Sequence, residues 1–209
     1  MPTILLTGFG PFPGAPVNPT GPLVERLARL RRPSLAGTKL ITHVFPTSYA
    51  AVDRNLPKLL AKHEPDALLM FGLAPRARFL RIETRARNTL AILPDAGGAA
   101  MTRHAIAAGE PAALALPAPT RQLLAAVRAS HLPAALSRDA GRYLCNYLCW
   151  RAVEAASRNG PRLAAFIHVP PVRRGAVPRV RAKRRAFAAA DFTRAGEQLV
   201  MVIAAALRR

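Results

Sequence analysis

Two short runs constrain this chain most: Asp66-Ala-Leu-Leu-Met-Phe-Gly72 and Leu163-Ala-Ala-Phe-Ile-His-Val169. Neither alternates apolar with polar residues, as a strand with one wet face would. A continuous apolar run bounded by turn residues reads as a strand covered on both faces, and parallel sheets flanked by helices provide that cover. Ile4 to Thr7, ended by Gly8, is a third such run, and Thr38 to Phe45 is a fourth, β-rich segment. Between them lie stretches of helical period. Thr20 caps one with Pro22 near its start, and Ser48 to Lys62 forms another, with Pro57 placed to kink or split it. Thr120 to Ser130, Ala140 to Arg158 and a last helix capped by Asp191 and running to Leu207 complete the set. Phe79 to Leu93 is strand-like but heavily charged, and Pro94 to Ala118, rich in Gly, Ala and Pro, has no legible element. Strands alternating with helices predict an α/β fold, a mostly parallel sheet with helices on both faces. The 209 residues suit one domain spanning 1–209, and no internal repeat or long linker divides them.

The charge balance needs separate treatment. Lys and Arg number 31 against 11 Asp and Glu, giving a net charge of +20. A nucleic-acid or anionic-surface binder is one reading. The arginines are spread along the chain, however, and aromatics are only 6%, whereas single-strand binders interleave basic and aromatic side chains on one face. The basic composition therefore reads as a solvated surface rather than a nucleic-acid site. The one dense cluster, Arg173, Arg174, Arg179, Arg181, Lys183, Arg184 and Arg185, reads as a basic loop. The longest apolar run, Leu199 to Leu207, is too short for a transmembrane helix, and the first ten residues have no basic leader region. No membrane partner or secretory signal is expected. Two cysteines are too few for a disulfide framework, so the expected compartment is a reducing cytoplasm.

Three residues can carry chemistry. Cys145 falls near a predicted helix start, where backbone N–H groups and the helix dipole favour a thiolate and can hold an oxyanion. His168 ends a predicted central strand, the edge of open α/β sheets where catalytic groups collect. Glu83 lies among arginines after another strand. Each also fits a duller role: Cys145 in the core, His168 as a structural strand-end residue, Glu83 neutralising Arg81, Arg85 or Arg87. Cys149, four residues beyond Cys145 on the same helical face, is a resolving thiol, half of a metal site, or a small buried residue. No further Cys or suitably spaced His joins the two, so neither a metal nor a cofactor is expected.

Taken together, the motifs resemble the pyroglutamyl peptidase I family, also called pyrrolidone-carboxylate peptidase. The nucleophile segment is Ala140-Gly-Arg-Tyr-Leu-Cys-Asn146, and the histidine motif is Phe166-Ile-His-Val-Pro170. Thr7-Gly-Phe-Gly-Pro-Phe12 with Asn18-Pro19 matches the N-terminal loop, and Glu83 with Asn88 the glutamate motif. Pro94-Asp95, Gly109-Glu-Pro-Ala-Ala113 and Leu116-Pro117 follow in the same order. The resemblance implies a three-layer α/β/α sandwich and a cysteine exopeptidase that removes N-terminal pyroglutamate from peptides, without cofactor. It implies Cys145 as nucleophile, His168 as proton carrier and Glu83 as its orienting group. Phe9, Phe12 and Tyr143 become walls for the lactam ring. Asn18 either contacts substrate or braces its loop. It also allows a homodimer or homotetramer.

Two departures stand out. Where bacterial members often carry Gly-Gln-Ala-Gly-Gly, this chain has Gly72-Leu73-Ala74-Pro75-Arg76, which puts Leu73 in a substrate-binding position. The stretch Thr89-Leu-Ala-Ile-Leu93 lacks the family's arginine, leaving Arg85 or Arg87 as replacements near the oxyanion. These departures keep two alternatives open: a related hydrolase for another N-terminal acyl or lactam group, and a non-catalytic basic binder.

Overall fold

The computed structural model describes residues 1–12, 14–172 and 187–209. In chain order its elements are β1 (Thr3–Phe9), α1 (Thr20–Leu27), β2 (Lys39–Phe45), α2 (Tyr49–His63), β3 (Ala67–Leu73), β4 (Leu80–Glu83) and β5 (Arg85–Arg87). They continue with β6 (Ala113–Ala115), α3 (Thr120–Ala129), β7 (Ala134–Ser137), α4 (Leu144–Ala156), β8 (Leu163–Val169) and α5 (Ala189–Leu207). A six-stranded sheet has the order β2-β1-β3-β8-β4-β7. The four strands β2, β1, β3 and β8 run parallel; β4 pairs antiparallel with β8 and parallel with β7. The expected mostly parallel α/β sheet is therefore present.

Strand alternation builds the three layers. Ile4, Leu6, Leu69, Phe71, Ala165 and Ile167 face a core shared with α1, α3 and α5. Leu5, Leu68, Met70, Ala164 and Phe166 face the opposite core, shared with α2 and α4. β1 and β3 are buried at every residue, which is why they show no polar alternation in the sequence. Gly8 is needed for close approach, since a Cβ there would lie 2.6 Å from the Thr20 carbonyl oxygen.

Local details differ from the sequence reading. Thr20 is the first residue of α1 rather than its cap, and its hydroxyl ties back to β1. Pro57 sits within α2, which still runs as one assigned helix from Tyr49 to His63. The helix expected from Ala140 begins only at Leu144, because 139–143 form the loop that enters it. Asp191 is three residues into α5's end rather than its cap residue, and its Oδ2 accepts the Ala188 N–H at 3.0 Å. Phe79 to Leu93 divides into two short strands, β4 and β5, in separate sheets. No described helix is long and apolar enough to cross a membrane. The basic cluster between 173 and 185 lies outside the described residues.

Candidate active site

The strand register assembles the site. In the β4–β8 pair, Arg81 lies opposite His168 and Glu83 opposite Phe166. Leu80 and Ile82 turn towards the α1/α3/α5 core, so alternation turns Arg81 and Glu83 to the other face. His168 follows Ala164 and Phe166 onto that same face, where α4 packs. Glu83 and His168 are thus diagonal neighbours across an antiparallel pair. Glu83 Oε1 lies 2.8 Å from His168 Nδ1; Glu83 is fully buried and His168 is 4% exposed. Glu83 Oε2 has no hydrogen-bond partner among the described residues, so the carboxylate's one hydrogen bond is to the imidazole.

Cys145 is the second residue of α4, and its sulfur sits over β3. Only a glycine tolerates that placement: a Cβ on Gly72 would fall 2.8 Å from Cys145 Sγ and 2.7 Å from the Phe166 ring. Cys145 and His168 stand side by side in the wall of one cavity, near enough for the sulfur to act on the imidazole. With Nδ1 committed to Glu83, Nε2 is the nitrogen left to serve the thiol. Burial pulls the His168 pKa down, but the neighbouring Cys145 sulfur, then Glu83, outweigh it and raise the pKa to about 9. Near neutral pH the imidazole therefore holds its proton. No side chain caps α4. Its first-turn N–H groups, including that of Cys145, remain donors available to a developing oxyanion.

The surroundings hold this geometry. Asn146, wholly buried, accepts the Arg87 N–H at 2.8 Å and donates to the carbonyls of Arg87 (2.8 Å) and Thr89 (3.1 Å), fixing β5 behind the nucleophile. Asn88 accepts the Ala107 N–H (2.9 Å) and donates to the Ala107 and Glu110 carbonyls. Asp95 accepts the N–H groups of Tyr49, Gly97 and Ala99; burial pushes its carboxyl up, but the Ser48 side chain and these N–H groups together hold it below the usual range. Such side-chain pins order the stretch from 94 to 112, which is why it needs little regular structure. Cys149 is completely buried on the next turn of α4, and burial, then Glu83 and Cys145, push its thiol well above its ordinary value. It stays protonated. Both cysteines are free, and no metal-ligating cluster occurs among the described residues.

In front of Cys145 opens a cavity of about 450 Å³, within the usual size of small-ligand sites. Phe9, Phe12, Asn18, Leu73 and Tyr143, singled out in the sequence, all line it with Cys145 and His168. Glu83 stands behind His168 rather than in the cavity. Asn18 braces its loop: Oδ1 accepts from the Thr20 N–H (3.1 Å) and hydroxyl (2.8 Å), while Nδ2 donates to the Gly10 carbonyl (3.1 Å). Arg85 and Arg87 do not line the cavity. Arg85 donates to the Arg138 carbonyl, and Arg87 pairs with Asp139 at 3.1 Å. The arginines that do reach it are Arg76 and Arg81, which sequence reasoning missed, along with Thr47 and Asp139. Their signals were present: Arg76 follows the carboxyl end of a buried strand, and Arg81 precedes Glu83 by two residues, hence shares its face.

A thiol at a helix N-terminus that shares a cavity with an imidazole held by a buried carboxylate is an arrangement suited to the cysteine-peptidase class. Within that class the sequence matches the pyroglutamyl peptidase family over residues 2–193, and the chain belongs to that family. Pyrrolidone-carboxylate peptidase 1 of Ralstonia nicotianae is 34% identical over 172 residues, covering 81% of this chain and 79% of that protein. The Thermococcus kodakarensis pyrrolidone-carboxylate peptidase is 32% identical, with 80% of each chain covered. The solved pyrrolidone carboxyl peptidase from Thermococcus litoralis superposes with a TM-score of 0.86 at 27% identity, covering 97% of this chain and 94% of that one. Bacillus amyloliquefaciens pyroglutamyl peptidase I gives 0.84 at 27% identity, with 98% of each chain covered.

Proposed function

We propose that this chain removes an N-terminal pyroglutamyl residue from peptides, with Cys145 as nucleophile, His168 as proton carrier and Glu83 as its orienting group. The observation that carries the proposal is the 2.8 Å bond between buried Glu83 and His168, with His168 and Cys145 together lining an aromatic-walled cavity. The Cys145 thiolate, its proton held on His168, attacks the carbonyl carbon that joins the lactam residue to the next amino acid. The oxyanion forms against the N–H groups at the start of α4. As the tetrahedral adduct collapses, the C–N bond breaks and His168 delivers its proton to the leaving amine. A thioester remains. Water attacks it, giving a proton to His168, and the thiolate leaves as pyroglutamate is released. Glu83 fixes the Nδ1–H tautomer and stabilises the imidazolium at each stage. Phe9, Phe12 and Tyr143 provide flat apolar walls suited to a small neutral lactam ring.

A second reading keeps the chemistry and changes the acyl group. It is favoured by Leu73, an apolar residue of the cavity lining that stands where bacterial members of the family often carry Gln. Release of a fluorogenic amine from its pyroglutamyl conjugate, compared between wild type and Cys145→Ala, tests the proposal. Turnover lost in the variant is the expected result. A folded wild type that leaves the pyroglutamyl reporter intact but cleaves another N-blocked dipeptide would replace the first reading with the second.

A further inference from the structure

The cavity is chemically lopsided, and the sheet order shows which way. Along the edge of the sheet, β1, β3, β8 and β4 contribute Phe9, Leu73, His168 and Arg81 in that spatial order. The aromatic end lies at β1 and the cationic end at β4. Cys145 and His168 lie between them. An acyl group seated against Phe9 and Phe12 therefore points its leaving amine past His168 towards β4.

At that end stands Arg81, half-buried, and Arg76, exposed, lines the cavity from the connection that leads from β3 to β4. Neither has a hydrogen-bond or ion-pair partner among the described residues. Asp139 also reaches the cavity, but its carboxylate is committed to the Arg87 guanidinium at 3.1 Å and the Gly141 N–H at 3.0 Å. Two uncompensated guanidiniums thus belong to the cavity, one of them at its β4 end. A half-buried guanidinium has given up part of its hydration without a counter-charge, and an incoming carboxylate restores both charge balance and paired acceptors.

Resting on the pyroglutamyl reading above, we infer that the leaving-group side of this site selects a carboxylate. The preferred substrates carry it next to the scissile bond, either as the C-terminus of a pyroglutamyl dipeptide or as an Asp or Glu side chain following the pyroglutamyl residue. The net charge of +20 also attracts anions, but from all sides. A contact with Arg76 and Arg81 instead depends on these two positions.

The experiment compares kcat/KM for pyroglutamyl-Glu-amide against pyroglutamyl-Gln-amide, and for pyroglutamyl-Ala with a free against an amidated C-terminus. The first pair reads a side-chain carboxylate and the second a terminal one. At low salt at least one pair is expected to favour the carboxylate by about 5- to 30-fold, falling at 0.5 M NaCl. Arg81→Gln and Arg76→Gln each reduce that ratio by about 3-fold, and the double variant brings it near one. Arg29→Gln, in the exposed turn after α1, removes the same charge and leaves the ratio unchanged. Ratios near one in wild type overturn the inference. So does an Arg81→Gln variant that slows charged and neutral substrates equally, which would set Arg81 at the reacting carbonyl. If no pyroglutamyl amide is cleaved, the proposed function fails by itself. Calorimetric binding of the same pairs to Cys145→Ala then decides the inference: tighter binding of the carboxylate member supports it, equal binding overturns it.

Discussion

His168 and Glu83 share a 2.8 Å hydrogen bond between neighbouring antiparallel strands, with both side chains withdrawn from water. The pKa of His168, raised to about 9 from an ordinary 6.5, makes this pair sensitive to pH in a definite direction. The bound proton stabilises the folded state fully below pH 6.5, and that contribution is lost as pH rises through about 9. Denaturant midpoints should therefore fall between pH 6.5 and 9.5. In Cys145→Ala the fall should end at lower pH, because the largest raising influences are gone. The rate should follow a bell whose alkaline limb lies near pH 9 and belongs to the Cys–His pair jointly. A rate still climbing at pH 10 would contradict the role given to the imidazolium.

Glu83→Gln keeps the shape of the side chain and removes its charge. It should lower kcat by about 10²- to 10⁴-fold, because the imidazole loses both its fixed tautomer and its counter-charge. Its alkaline limb should also move to lower pH. Steady-state kinetics across pH checks both. A variant with wild-type kcat would reduce Glu83 to a packing residue.

Gly72→Ala places a methyl group where Cys145 Sγ and the Phe166 ring already stand. Overpacking of this kind costs about 1–3 kcal/mol. The thiol is the part that must move, and a displacement of about 1 Å can cost about 10²-fold in rate. The expected outcome is a modest drop in Tm with a much larger drop in kcat. Full activity with an unchanged Tm would mean that the thiol does not need to sit over β3.

The sequence was most readable where one physical constraint acted alone. β1, β3 and β8 are apolar runs because both their faces are covered, and their bounds move by only a few residues between sequence and structure. Cys145, His168 and Glu83 each fit a duller role from their places in the chain, and only the family resemblance joins them. The contact between Glu83 and His168 arises from β4 running antiparallel to β8, a topological fact that no residue in β4 announces. β7 has four residues, with Leu136 exposed at the sheet edge, so it carries no apolar signature. The stretch from 94 to 112 was opaque because its order comes from Asn88 and Asp95 bonding to backbone groups distant in sequence, and side-chain pins leave no period to read.

Thiol reactivity should separate the two cysteines. Cys145 is half-exposed in the cavity, whereas Cys149 is sealed and its thiol is pushed well above its ordinary value by burial. Iodoacetamide at pH 7 should add one equivalent to the native protein, at Cys145, and abolish turnover. Two equivalents should add after denaturation. Peptide mass mapping reads both results, and modification of Cys149 in the native state would refute the assignment.

Asn88→Ala tests whether the long loop acts on the site through Tyr143. Asn88 makes three bonds to the loop backbone, two of them to Ala107. Further along the same loop, the Pro94 carbonyl accepts the Tyr143 hydroxyl at 3.0 Å, and Tyr143 lines the cavity. Removing the amide leaves loop N–H and carbonyl groups without their partner, at a cost of about 1–3 kcal/mol. The loosened loop should be cut faster by a nonspecific protease between 97 and 110. Because the cavity wall is disturbed while Cys145, His168 and Glu83 keep their contacts, KM should rise several-fold with kcat little changed. A loss confined to kcat would instead show that the loop positions the reacting groups themselves.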